Sequence, residues 1–191
     1  MATATSGSAA PAPTPGASGA WIRGTSSTGV TAHELGHNLG LNHANFWDTG
    51  GTSIAGSGAS VEYGDKFDTM GAANAGRYHF NARYKRLLGW LPEGEFTVAT
   101  TNGVYRIYAH DQTNGVGLSR GLQVFANART NYWLELRQQF TTLPAMMSGL
   151  GVRWTGRGNE ASLLLDTTPG SAGEKDDAAL LLGRTYSDPR A

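Results

Sequence analysis

The stretch His33-Glu34-Leu35-Gly36-His37-Asn38-Leu39-Gly40-Leu41-Asn42-His43 has the pattern H-E-x-x-H-x-x-G-x-x-H. A helix turns once in about 3.6 residues, so His33 and His37 project from one face, one turn apart. Two ring nitrogens can then reach one ion at about 2.0–2.1 Å. Glu34 is offset from both rings. That places its carboxylate beside a metal rather than on it, which suits a base acting on water. A third histidine cannot arrive from the same straight face, so the helix has to stop. Gly40 supplies the break, because glycine takes φ > 0 at little steric cost. The chain then turns back and His43 becomes the third ligand. Three protein ligands leave a fourth position for water, the mark of a catalytic zinc site rather than a closed structural one.

The flanking residues extend this expectation. Leu35 and Leu39 lie four apart on the face away from the histidines, where a core is expected. Ala32 and Gly36 are small and would let another element approach closely. Thr25, Ser26, Ser27 and Thr28 are N-cap candidates. A bare H-E-x-x-H is short enough to arise by chance, but the glycine and third histidine add two further specified positions. Downstream, Asp68-Thr69-Met70-Gly71 pairs a methionine with a glycine in a turn-forming context. After the extended histidine motif, Met70 reads as a structural methionine turn rather than an ordinary core methionine.

On these residues the chain resembles the metzincin zinc endopeptidases, and within them it is similar to the gametolysin-like peptidases. The narrower likeness rests on Tyr63-Gly64-Asp65, on His79-Phe80-Asn81-Ala82 with Lys85, and on Leu88-Gly89-Trp90-Leu91. It also draws on the segments at 132–138 and 165–170. The resemblance implies a secreted endopeptidase cleaving extracellular proteins; algal members of the group are associated with digesting cell-wall glycoproteins. It assigns His33, His37 and His43 as zinc ligands, Glu34 as general base and Met70 as the floor beneath the imidazoles. One departure is plain. Metzincin catalytic domains place roughly a hundred residues of sheet and helix before the zinc helix, whereas 32 residues precede His33 here. A truncated gene or a wrongly assigned start is therefore expected, with at most one strand near residues 20–23.

The fold class expected is α+β. A disordered Ala/Pro/Ser/Thr-rich linker occupies 1–19, a partial metzincin catalytic domain 20–92, and a small antiparallel β domain 93–191. The catalytic part consists of the zinc helix, a Gly/Ser-rich loop over 44–69, the methionine turn and a closing helix. Phe80, Tyr84, Leu87 and Leu88 recur at helical spacing ahead of that helix's stop at Gly89. Strands are expected at 104–108, 122–125, 132–136, 151–154 and 162–165. Within the loop, Glu62, Asp65 and Asp68 offer a calcium set, though solvated turn carboxylates are the preferred reading. Tyr63 and Tyr78 flank the methionine turn as candidates for an oxyanion or fifth-ligand role, against the more ordinary reading as packing aromatics. His79 and His110 lack ligand spacing and read as hydrogen-bonded structural histidines.

Composition excludes several classes. Fifteen basic and 15 acidic residues balance to zero net charge, which leaves no electrostatic footprint for nucleic acid. No cysteine is present, so thiolate chemistry and disulfides are out. No run approaches the ~20 apolar residues of a membrane span, and the first residues do not have the pattern of a signal peptide. The partner expected is a protein or peptide substrate. The rival reading is a catalytically inactive zinc-binding fragment whose β domain binds peptide or carbohydrate.

Overall fold

The computed structural model describes residues 2–5, 16, 20–23, 27–72, 79–114, 117–139, 144–156 and 161–188. The fold class is α+β: helices accompany a mixed eight-stranded sheet. Two short strands, β1 (Ala2–Thr5) and β2 (Ala20–Arg23), pair in parallel and pack against helix α1 (Thr28–Asn38). β1 thus stands inside the segment whose composition reads as linker; residues 6–15 and 17–19 lie outside the described residues.

Helix α1 starts and ends by side-chain and glycine chemistry. Ser27 is the N-cap, its Oγ accepting from Val30 N at 3.2 Å. At the other end Gly40 has φ 90°. There Leu41 N donates to Gly36 O at 3.0 Å and Gly40 N to His37 O at 2.9 Å. This pair of bonds is the Schellman arrangement, and glycine meets its left-handed requirement without strain.

The large sheet runs β4 (Ala59–Val61), β3 (Ala44–Asp48), β9 (Ser162–Leu165), β8 (Gly149–Thr155), β7 (Thr130–Leu136), β6 (Leu122–Asn127), β5 (Thr97–Ala99). β10 (Leu180–Leu181) pairs with the start of β8. Pairing is parallel for β3–β9 and β5–β6 and antiparallel elsewhere. The sheet is therefore mixed, not antiparallel as expected. It also crosses the boundary expected near residue 93, because β3 and β4 from the first half share it with the later strands.

Its two faces have different jobs. Val152, Trp154, Leu163 and Leu165 pack on one face with Tyr132 and Ala55. The opposite face carries Phe46 and Leu164, packed against Phe67, and charged residues described below. Helix α2 (Ala82–Leu87) contacts β7.

Four other sequence expectations are corrected. Leu35 and Leu39 are 50 % and 56 % exposed, while His33, Glu34, Gly36 and His37 are buried. The buried side of α1 is the histidine side, so the apolar pair faces out. Segment 44–69 is not one loop, since it holds β3 and β4; β3 pairs with a strand more than a hundred residues later, a partner invisible locally. Residues 104–108 form no strand and Val104 is fully exposed, whereas Thr97–Ala99 takes the edge beside β6. α2 begins only at Ala82: Asn81 caps it by accepting from Tyr84 N at 3.0 Å, which leaves Phe80 ahead of the helix and Leu87 exposed.

Candidate metal centre

His33 and His37 leave α1 on its buried face, and His43 arrives from the short link between Gly40 and β3. Each Nδ1 has an acceptor. His33 Nδ1 lies 2.8 Å from Thr69 O, His37 Nδ1 2.8 Å from Leu41 O, and His43 Nδ1 2.8 Å from Glu62 Oε1. Carbonyl and carboxylate oxygens accept, so these contacts place the proton on Nδ1 in all three rings and leave a lone pair on each Nε2. Those lone pairs converge. His37 Nε2 is 3.1 Å from both His33 Nε2 and His43 Nε2. With every proton on the far side of its ring, these contacts are not hydrogen bonds. Three lone pairs facing one point with no donor between them fit a cation. Nitrogens bound tetrahedrally to one ion at about 2.0–2.1 Å stand roughly 3.3 Å apart, close to the separation seen. Three buried histidines thus lie close enough to bind a metal ion, and among the described residues they are the one such group of metal-ligating side chains.

Burial favours the ligating form of two of the rings. Burial pushes His33 down to about 4, and His37 and His43 press it further, against the opposing Thr69 carbonyl. Burial also lowers His43, against Glu62. Neutral imidazole is the species that binds metal.

Beneath the rings lies the turn at 68–71. Gly71 N donates to Asp68 O at 3.0 Å, and Met70 N donates to the Asp68 carboxylate at 2.6 Å. Met70 is fully buried. A Cβ on Gly36 would stand 2.3 Å from Met70 Sδ, so the close approach expected at Gly36 occurs, and its partner is this methionine. A Cβ on Gly71 would strike Asp65 O at 1.9 Å, which accounts for the glycine after the methionine. The turn touches the ligand set directly, since the His33 ring donates to the carbonyl of Thr69.

Glu34 is 8 % exposed, and its Oε2 is buried with no donor among the described residues. Burial raises its pKa, while His37 opposes. A carboxylate with an unengaged, buried oxygen is equipped to take a proton.

The roles of four residues around the trio, Tyr84, Glu62, Asp65 and Asp68, escaped the sequence reading. Tyr84 OH lies 2.8 Å from both Asn42 O and His43 O and accepts from Ser162 N at 3.2 Å, which ties the approach to His43 to strand β9. Glu62 reaches His43 instead of joining a calcium set. Asp65 and Asp68 are fully buried and not solvated turn carboxylates: Asp65 pairs with Arg153 at 2.6 Å, and Asp68 accepts from Met70 N and Asn81 N. These three carboxylates do not converge on a common cation position. No local signal in the sequence pointed to the meeting of Glu62 with His43, 19 residues away, or to the burial of the other two.

Of the tyrosine candidates, Tyr63 stands at the trio, its ring 4.0 Å from that of His43 and 5.7 Å from that of His33. Tyr78 lies outside the described residues. His79 and His110 stay apart from the metal centre. Lys85 Nζ is 2.9 Å from His79 Nδ1 and donates to His110 O at 2.9 Å. His110 Nε2 lies 3.3 Å from Glu135.

An ionic web on the inner face of the sheet supports the turn. Glu135 on β7 meets Arg137 and Arg153, each at 2.7 Å, and accepts from Ala82 N at 2.6 Å. Burial alone would raise Glu135, but Arg137, Arg153 and His110 hold it well below the carboxylate range. Arg153 continues to Asp65, and Arg137 donates to Phe67 O. The histidine trio thus rests on groups contributed by strands β7, β8 and β9. A groove of about 470 Å³ at the far end of β3, lined by Asp48, Val61, Asp166 and Lys175 among others, includes none of the histidines. No helix among the described residues is long and apolar enough to cross a membrane.

No protein-family model, no curated protein and no solved structure matches this chain.

Proposed function

We propose that the chain is a zinc-dependent endopeptidase of the metzincin, gametolysin-like kind. One observation carries the reading: three Nε2 lone pairs converge on one point, on the helix where Glu34, next to His33, keeps a buried oxygen with no donor among the described residues. His33, His37 and His43 would hold the ion. When bound, zinc supplies a Lewis acid that polarises a peptide carbonyl and lowers the pKa of water. Glu34 takes a proton from the water that attacks the scissile carbonyl and returns it to the leaving amine. Burial raises the affinity of Glu34 for protons, which favours that exchange. Met70, packed against Gly36, and Thr69 O, holding His33, keep the first ring in place from below. The substrate class, extracellular proteins, and export from the cell rest on the resemblance of residues 33–43 and Met70 to that group.

The test is Glu34→Gln, which keeps shape and removes the base. Casein cleavage sensitive to a chelator should fall about 10²–10⁴-fold in the variant, while zinc content stays at one per chain. Parent-like cleavage by Glu34→Gln would remove Glu34 from the mechanism. Stoichiometric zinc with no hydrolysis by the parent would favour the inactive zinc-binding reading.

A further inference from the structure

The three ligands are not held alike. His33 and His37 are fixed by helix geometry and by backbone carbonyls, which no side-chain substitution removes. His43 lies off the helix, on a link of irregular backbone, and its Nδ1 is held by a side chain. That side chain is Glu62, 2.8 Å away and 65 % exposed. The next residue, Tyr63, lays its ring against the same imidazole at 4.0 Å. Two consecutive residues of an extended chain would point to opposite sides. Here Tyr63 takes φ 58°, uncommon for a bulky residue, and both side chains turn to His43. The turn is held in that form. Tyr63 N donates to Asn45 Oδ1 at 3.1 Å, and Asn45 Nδ2 donates to Ser60 Oγ at 3.0 Å. Gly64 follows with no room for a Cβ, which would meet Phe46 Cβ at 2.5 Å. A strained conformation that persists because its surroundings enforce it points to a role at the site it serves.

We propose that Glu62 and Tyr63 form a clamp that orients His43 as a metal ligand, with Glu62 fixing the Nδ1–H tautomer and Tyr63 fixing the ring plane. The inference rests on the metal reading above and adds positioning residues to it. A carboxylate behind a ligating imidazole raises the basicity of the ligand and contributes about 10–100-fold to metal affinity; the exposure of Glu62 places the effect near the lower end.

The experiment is zinc affinity by competition with a chromophoric chelator on the purified full chain, alongside thermal midpoints of the metal-free proteins. Glu62→Ala should bind zinc about tenfold more weakly. Glu62→Gln, whose amide oxygen accepts the same N–H, should recover most of that loss. Tyr63→Gly, which relieves the positive φ, should bind about threefold more weakly through loss of the ring contact. None of the three should lower the metal-free midpoint. A zinc-binding parent whose Glu62→Ala matches it within twofold, or a Glu62→Gln as weak as Glu62→Ala, overturns the clamp alone. Tyr63→Gly binding as tightly as the parent removes Tyr63 from it. A parent that takes up no zinc overturns the metal reading and the clamp together.

Discussion

Helix α1 and the inner face of the sheet support the same centre by opposite means. The helix places His33, Glu34 and His37 by spacing alone, within a few residues of chain. The sheet face supports the turn beneath them through charges far apart in sequence: Asp65 with Arg153, Arg153 with Glu135, and Arg137 with Phe67 O. One region supplies the chemistry and tolerates little change in residue type. The other supplies the frame, and its charges are replaceable in principle only as a set. Breaking one member of a buried pair leaves an uncompensated charge, whereas exchanging a whole pair for apolar residues can be nearly neutral.

The largest effect should come from the frame. Arg153→Met strands the buried Asp65 carboxylate and takes one of two arginines from Glu135. Denaturant unfolding of the metal-free chain should show a loss of about 3–5 kcal/mol. A loss under 1 kcal/mol would mean that the web does not carry the turn.

Acid should weaken the metal-free fold through its buried histidines. Burial lowers His33 and His110 to about 4 in the folded chain, against about 6.5 when unfolded. Above that unfolded value both states are neutral and nothing is lost. As pH falls from about 6.5 toward 4 the unfolded chain takes up protons that the folded chain refuses, so stability drops. His33 alone accounts for on the order of 3 kcal/mol across that window. Thermal midpoints of the metal-free chain at pH 7 and pH 4.5 should differ accordingly, and the His33→Gln variant should show a shallower slope. An unchanged slope would place the acid sensitivity elsewhere.

The smallest effects separate the two sides of α1. Gly36→Ala drives a methyl group into Met70 and should cost about 1–3 kcal/mol. Leu39→Gln, on the exposed side, should stay within about 0.5 kcal/mol. Equal costs measured by chemical denaturation would contradict the orientation of the helix.

That last pair marks how far the sequence could be read. The clustering of the three histidines, the Gly40 stop and a cap somewhere in residues 25–28 were legible because each depends on neighbours within a turn or two of helix. Four of the later strands were legible too, from short apolar runs between turn residues. The outward turn of Leu35 and Leu39 was not, because hydrophobic spacing assumes an apolar buried face, and here a polar ligand face is the buried one. β3 was hidden because Ala44-Asn45-Phe46-Trp47-Asp48 shows no alternation and finds its partner in β9. Asp65 and Asp68 look like solvated turn residues until Arg153 and Asn81 are brought to them by the fold. Glu62 was noticed only as a carboxylate among others, since its meeting with His43 depends on the left-handed turn at Tyr63.

The most direct measurement is metal analysis of the purified chain together with X-ray absorption at the zinc edge. One zinc per chain is expected, bound by three histidine nitrogens at about 2.0–2.1 Å, with occupancy abolished in His37→Ala. Protein that folds but retains no zinc after incubation with a slight excess, or zinc bound equally well by His37→Ala, would contradict it.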